Sequence, residues 1–91
     1  MNDVLKRIEQ YKVVPVVVLE NTDHAAPLAK ALTGGGLPCA EVTFRTAAAE
    51  ASIRLMKQTC PEMLVGAGTV INMEQVERAL HAGAEFIVSP G

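Results

Sequence analysis

Four short apolar segments recur along the chain, and stretches with helical patterning separate them. The segments are VVPVVVL (13–19), CAEVTF (39–44), MLVGAG (63–68) and EFIVSP (85–90). Short runs rich in branched aliphatic residues, placed at such even intervals, are typical of buried parallel strands. We therefore predict four strands at these positions.

The stretches between the strands have helix start and stop signals. The predicted helices cover about residues 2–11, 22–36, 46–61 and 72–84. Thr22 or Asp23 is a candidate N-cap, and Asn72, with Gln75 three residues later, forms a candidate capping box. Glycine or proline follows each of the last three helices, as helix ends require. The order is one helix, then four strands joined by three helices, which predicts an α/β fold with a parallel sheet.

The strand at 39–44 distinguishes two ways of building such a sheet. Glu41, Thr43 and Arg45 alternate with apolar residues and therefore share one face. A central strand of an open, doubly wound sheet needs two apolar faces, whereas a barrel interior accommodates polar groups near its mouth. No GxGxxG or Walker-type loop follows a strand, which weakens a nucleotide-binding open sheet. We predict part of a (β/α)₈ barrel.

Composition narrows the function classes. The chain has 91 residues, a net charge of -2 and no basic run, so we expect a single domain over residues 1–91 and no nucleic-acid partner. No apolar stretch approaches the roughly 20 residues of a membrane span, and the charged N-terminus is unlike a signal peptide. Cys39 and Cys60 lack CxxC spacing, so we expect reduced thiols in a cytoplasmic protein.

The number of strands raises a second question. A barrel of this class has eight strands, and this chain supplies four. Half a barrel exposes its inner face and two strand edges to water. The chain is therefore either part of a longer protein or one of several copies that pair, and both hypotheses stay open.

Candidate chemistry lies at the carboxyl ends of the predicted strands, where such barrels place their reacting groups. Glu41 is foremost, because a carboxylate within a buried strand is costly unless it is paired or functional. Arg45 lies on the same face, and two interpretations stay open. Arg45 and Glu41 form a structural ion pair, or Arg45 binds an anionic ligand while Glu41 acts as the general acid and base. GAGTV, which ends in Thr69 and Val70, is interpreted as a turn whose backbone N–H groups approach a ligand, although any tight β–α turn has this composition.

Histidines and lysines give no comparable signal. His24 and His81 are predicted on helices without further ligands at metal spacing, so we expect no metal site. No lysine falls at the carboxyl end of a predicted strand, so a Schiff-base lysine is not evident in this chain.

The chain resembles the N-terminal half of the bacterial KHG/KDPG aldolases in VVPVVVLEN, LPCAEVTFRTAAAEASIRLM and VGAGTVINMEQVERALHAGAEFIVSPG. The resemblance implies the N-terminal half of a TIM barrel, a homotrimer, no metal or organic cofactor, and a 2-keto acid substrate that is cleaved to pyruvate and an aldehyde. It implies that Glu41 is the general acid/base, that Arg45 and Thr69 hold the pyruvate carboxylate, and that Pro90 lines the pocket. The family's Schiff-base lysine lies on a later strand, in an FKFFPAE-like stretch that this chain does not contain.

Two alternatives accompany this hypothesis. Phosphosugar epimerase or isomerase barrels also combine glycine-rich strand ends with a carboxylate base. A non-catalytic half-barrel that associates with itself would explain four strands without a lysine. Because the Schiff-base lysine is absent, we do not expect aldolase turnover from the 91 residues alone.

Overall fold

The apolar segments form four parallel strands in the computed structural model of the chain, which describes residues 14–89. The strands are β1 (Val16–Val17), β2 (Cys39–Thr43), β3 (Leu64–Gly68) and β4 (Phe86–Ile87). They make one sheet in the order β1-β2-β3-β4, and each pair of neighbours is parallel. The predicted parallel α/β architecture is confirmed, although every strand is shorter than its apolar segment. The helix predicted at 2–11 lies outside the described residues.

Three α-helices and a short 3₁₀ helix connect the strands. They are the 3₁₀ helix Thr22–His24, α1 (Ala25–Gly34), α2 (Ala49–Thr59) and α3 (Met73–Ala82). None of them is long and apolar enough to cross a membrane. The first connection is capped by Asn21, whose Oδ1 accepts a hydrogen bond from the Asp23 N–H at 2.8 Å. The prediction of Thr22 or Asp23 as the cap was wrong by one or two positions, because the 3₁₀ turn begins before the α-helical pattern.

The last helix begins and ends as predicted. The Asn72 Oδ1 accepts a hydrogen bond from the Gln75 N–H at 2.9 Å. The Gln75 side chain accepts one from the Ile71 N–H at 2.8 Å, one residue before the N–H that a standard capping box uses. Gly83 ends α3 with a left-handed φ of 109°, which a glycine adopts without steric cost.

The described helices cover one face of the sheet. Val42, Val65 and Ala67 project from β2 and β3 into a single hydrophobic cluster, where they meet helix residues such as Ile53 and Met56. All five side chains are fully buried. Each large aliphatic side chain buried in this way contributes about 1.5–3 kcal/mol, so this cluster holds the helices on the sheet.

The opposite face, here called the inner face, contains Val16, Glu41, Gly66 and Phe86 at one level. This level follows from the parallel register, in which Glu41 pairs with Val16 and with Gly66, and Gly66 pairs with Phe86. Val16, on the edge strand β1, is 62% exposed, whereas Cys39 and Leu64 on the same face are fully buried. The predicted alternation along this strand is confirmed, because Val42 faces the helices and Glu41 lies on the opposite face.

Candidate active site

The predicted site residues occupy three places at or near the carboxyl end of the sheet. Glu41 lies in the middle of β2 and is half-buried. Arg45 is exposed in the turn directly after β2, and Thr69 is half-buried immediately after β3. Pro90 lies outside the described residues. The parallel register therefore brings β2 and β3 side by side with Glu41, Arg45 and Thr69 toward one end.

The Glu41 side chain leans toward the carboxyl end of the sheet. Its Cα is level with Gly66, but its carboxylate lies over Gly68. A Cβ atom added at Gly68 would stand 2.8 Å from the Glu41 Cδ and 2.9 Å from its Cγ. Two residues of strand rise correspond to about 6–7 Å, so the carboxylate lies at the level of Gly68, the residue before Thr69, rather than at the level of its own backbone.

The charged groups of this region are not paired with each other. Within residues 14–89, neither the Glu41 carboxylate nor the Arg45 guanidinium forms an ion pair or a hydrogen bond. The alternative of a structural Glu41–Arg45 ion pair is therefore not realised in this structure. No described residue therefore competes with a ligand for either group, as a general acid/base and an anion-binding cation require.

The glycines of GAGTV lie within β3 rather than in a turn. A Cβ at Gly66 would stand 2.5 Å from the Phe86 Cδ2, and one at Gly68 would meet the Glu41 carboxylate. The interpretation of these glycines as part of a turn was therefore wrong, because both belong to β3, and side chains from the neighbouring strands occupy the space above them.

The turn after β3 begins at Thr69, with a left-handed φ of 57°. Such a conformation is unusual for a β-branched residue, and strained residues of this kind concentrate at functional sites. The conformation therefore supports Thr69 as a site residue.

Two threonine hydroxyls attach the end of β1 to β2. The Thr46 hydroxyl donates to the Leu19 carbonyl at 2.5 Å, and the Thr43 hydroxyl donates to the Val17 carbonyl at 3.3 Å. Because the β1 ladder ends at Val17, these bonds extend the contact between the two strands toward the site. Sequence reasoning placed Thr43 on the polar face of this strand but assigned it no role, since its acceptor is identified only by the register.

The described histidines and Lys57 lie away from the candidate site. His24 and His81 are exposed, and no group of three histidine, cysteine, aspartate or glutamate residues converges within residues 14–89. Lys57 lies near the amino ends of β3 and β4, where its Nζ donates to the Glu85 Oε1 at 2.7 Å and to the Met63 carbonyl at 2.6 Å.

A surface groove of about 500 Å³, lined in part by Pro38, Cys60 and Met63, lies at the same end as Lys57. Pro38 and Met63 directly precede β2 and β3, so the strands separate this groove from the carboxyl end of the sheet. It is therefore not part of the candidate site.

Comparison with known proteins agrees with the fold and with the resemblance in sequence. The family model "Aldolase: KDPG and KHG aldolase" matches residues 4–91. A 2-dehydro-3-deoxy-phosphogluconate aldolase of Treponema pallidum is 48% identical over 91 residues, which are 100% of this chain and 43% of that protein.

Two solved structures are similar as well. The 2-keto-3-deoxy-6-phosphogluconate aldolase of Zymomonas mobilis ZM4 with 3-phosphoglycerate has a TM-score of 0.90 and 45% identity, over 100% of this chain and 43% of that chain. The KDPG aldolase of Legionella pneumophila, with pyruvate captured as a covalent carbinolamine, has a TM-score of 0.80 and 45% identity, over 86% of this chain and 38% of that one.

The chain thus spans less than half the length of these relatives. The relatives are TIM barrels, and the four parallel strands correspond to about half of such a barrel, as predicted. This chain belongs to the KDPG and KHG aldolase family.

Proposed function

We propose that this chain supplies the acid/base and carboxylate-binding half of a class I aldolase site. The observation that carries the proposal is the Glu41 carboxylate, which has no partner among residues 14–89 and extends to the level of Gly68, the residue before Thr69. The substrate is 2-dehydro-3-deoxy-6-phosphogluconate or 4-hydroxy-2-oxoglutarate, and the products are pyruvate and glyceraldehyde 3-phosphate or glyoxylate. We place the reaction in the cytoplasm, where Cys39 and Cys60 would remain reduced.

The reaction depends on a lysine that this chain does not supply. That amine attacks the C2 carbonyl of the substrate and, with loss of water, forms an iminium ion. Glu41, through a water molecule, takes the proton of the C4 hydroxyl while the C3–C4 bond breaks and its electron pair moves into the iminium. The aldehyde leaves, and an enamine remains on the lysine.

Glu41 then returns its proton, through water, to C3 of the enamine. Hydrolysis of the resulting iminium releases pyruvate and the free amine. Arg45 and the Thr69 hydroxyl hold the C1 carboxylate throughout, which fixes C3 and C4 relative to Glu41. The iminium itself is the electron sink, so these steps need neither a metal nor an organic cofactor. Pro90 would border the same pocket.

The test joins residues 1–91 to the remaining segment of the Zymomonas mobilis relative. We expect this fused chain to form a borohydride-trapped pyruvate adduct and to cleave the phosphorylated substrate, whereas residues 1–91 alone do neither. Glu41→Gln should retain the adduct but lower kcat by about 10²–10⁴-fold, the usual contribution of general acid/base catalysis. Glu77→Gln, at an exposed position on α3, is the control. Wild-type turnover by the Glu41→Gln variant would refute the proposal.

Arg45 distinguishes the lyase from an epimerase or isomerase. The family match favours the lyase, in which Arg45 binds the carboxylate of a 2-keto acid. Arg45→Ala should therefore weaken pyruvate binding in the fused chain. Unchanged pyruvate affinity would favour the epimerase alternative instead.

A second candidate function is self-association through the inner face. Val16, Val18 and Val88 are 62%, 52% and 41% exposed, which is unusual for aliphatic residues in or next to strands. Within residues 14–89, β1 and β4 each have an unpaired edge, and all strands are parallel. Two copies related by a two-fold axis would therefore pair β4 of one with β1 of the other, in the same direction, at both junctions.

Sedimentation of the 91-residue chain tests this association. We expect a concentration-dependent dimer that Val18→Asp weakens, whereas Leu80→Asp, on the exposed side of α3, has little effect. A folded monomer at all concentrations would refute the proposal. A trimer, the assembly that the family resemblance implies, would indicate a different contact surface.

A further inference from the structure

We propose that Gly68 is a positioning residue for the Glu41 carboxylate. The missing side chain at this position leaves a space on the inner face of β3, and the carboxylate lies in that space. The inference rests on the proposed role of Glu41 and adds to it the residue that determines where its carboxylate can lie.

The neighbouring level of the sheet explains why the carboxylate lies over Gly68. At the level of the Glu41 backbone, the space above β3 is filled by the Phe86 ring, three of whose atoms would collide with a Cβ at Gly66. The next level toward the carboxyl end is open only because residue 68 is a glycine. Gly66, Phe86 and Gly68 therefore direct the carboxylate toward the carboxyl end of the sheet.

Backbone conformation does not explain these glycines. Positive φ angles among the described glycines occur at Gly36 and Gly83 only, so Gly66 and Gly68 have angles that other residues adopt easily. A glycine within a strand is otherwise unfavourable, because it contributes no side-chain packing and loses more entropy on folding. Space for a neighbouring side chain is the remaining reason for a glycine at each position.

The two positions should respond differently to an added methyl group. At Gly68 the new Cβ meets the far end of the flexible Glu41 side chain, which can move away without disturbing the backbone. At Gly66 it meets the bulkier Phe86 ring. Gly68→Ala should therefore displace the carboxylate at little cost in folding, whereas Gly66→Ala should destabilise the sheet.

The first experiment uses the 91-residue chain and measures urea unfolding together with the ¹³C resonance of the Glu41 carboxyl carbon. We expect Gly68→Ala to shift this resonance and to leave the urea midpoint at or above that of the wild type, while Gly66→Ala lowers the midpoint. Gly34→Ala, where an added Cβ meets nothing within 4 Å, is the control for glycine replacement as such.

If the Gly68→Ala variant fails to fold, the Glu41→Ala/Gly68→Ala double variant shows whether the Glu41 side chain is the cause. Folding of the double variant supports the proposal, because the carboxylate is then the only obstacle to the methyl group. Failure of both variants to fold overturns it, because the backbone itself then requires glycine. An unshifted Glu41 resonance in a folded Gly68→Ala variant also overturns it.

The second experiment uses the fused chain. Gly68→Ala should keep the borohydride-trapped pyruvate adduct but slow substrate cleavage and exchange of the pyruvate methyl protons by about 10²-fold, the effect of a displacement near 1 Å. The Glu41→Gln/Gly68→Ala variant should be no slower than Glu41→Gln, because both changes remove one function. Wild-type exchange rates, or multiplied losses in the double variant, would overturn the proposal. If the unsubstituted fused chain forms no adduct, the proposed function fails, and the first experiment still decides the role of Gly68.

Discussion

Thr69 joins β3 to the loop before α3 in a left-handed conformation, with φ at 57°. That conformation costs a residue with a Cβ about 1–2 kcal/mol. Glycine adopts it without this cost but loses about 0.5–1 kcal/mol more backbone entropy on folding. Thr69→Gly should therefore stabilise the chain by about 0.5–1 kcal/mol, although it removes a side chain that is half-buried.

Thermal unfolding monitored by circular dichroism measures this gain. For a domain of fewer than about 100 residues, 1 kcal/mol corresponds to roughly 4–8 °C, so we expect the Tm to rise by about 2–8 °C. Thr69→Ala is the matched control, because it removes the hydroxyl but keeps a Cβ in the left-handed conformation. If Thr69→Gly melts at or below Thr69→Ala, the strain inferred from φ does not contribute to stability.

The same variants should lose function in the fused chain. A hydrogen bond to a charged carboxylate contributes about 1.5–3 kcal/mol, so loss of the Thr69 hydroxyl should weaken pyruvate binding by about 10–100-fold. Thr69→Gly and Thr69→Ala should be equally affected, and Thr69→Ser should retain most of the affinity. Wild-type affinity in Thr69→Gly would exclude the hydroxyl as a carboxylate ligand.

Three further predictions concern the scaffold. Ile53→Ala removes a fully buried side chain and should lower the free energy of unfolding, measured in urea, by about 2–5 kcal/mol. Leu80→Ala, at a position 54% exposed, should change it by about 0.5 kcal/mol or less. Equal urea midpoints for the two variants would contradict the packing argument. Asn72→Ala should cost about 1 kcal/mol through loss of the N-cap, and Asn72→Ser should recover most of it. Burial raises the pKa of the Cys39 thiol, so iodoacetamide at pH 8 should label Cys60 well before Cys39; equal rates in the folded chain would refute this expectation.

The sequence predicted the order of elements well because its signals for them are local. The Asn72 cap and the Gly83 terminus depend only on residues within one helical turn. Strand length was less predictable, because a strand extends only as far as its neighbour pairs with it. The segment 13–19 is apolar throughout, yet only Val16–Val17 pairs with β2.

The sequence could predict which face of the sheet holds the candidate site, but not where the functional atoms lie on that face. Alternation along β2 places Glu41 opposite Val42, and this periodicity is visible in one segment of sequence. The position of the carboxylate depends on Gly68, which is 27 residues away and becomes a neighbour only through the register of β2 with β3. The reason for a glycine at position 66 likewise depends on Phe86, which belongs to β4 and whose ring lies over Gly66.

Charged groups differ in their surroundings at the two ends of the sheet. Near the amino ends, the Lys57 Nζ donates to the Glu85 carboxylate and to the carbonyls of Pro61 and Met63, so three acceptors satisfy its charge. Near the carboxyl ends, Glu41 and Arg45 have no such partners within residues 14–89. A ligand near the amino ends would have to displace the hydrogen bonds of Lys57, whereas a ligand that binds Glu41 or Arg45 would have to displace only water from these groups among the described residues. This asymmetry agrees with the general division of parallel barrels, in which the amino ends carry stability and the carboxyl ends carry the reacting groups.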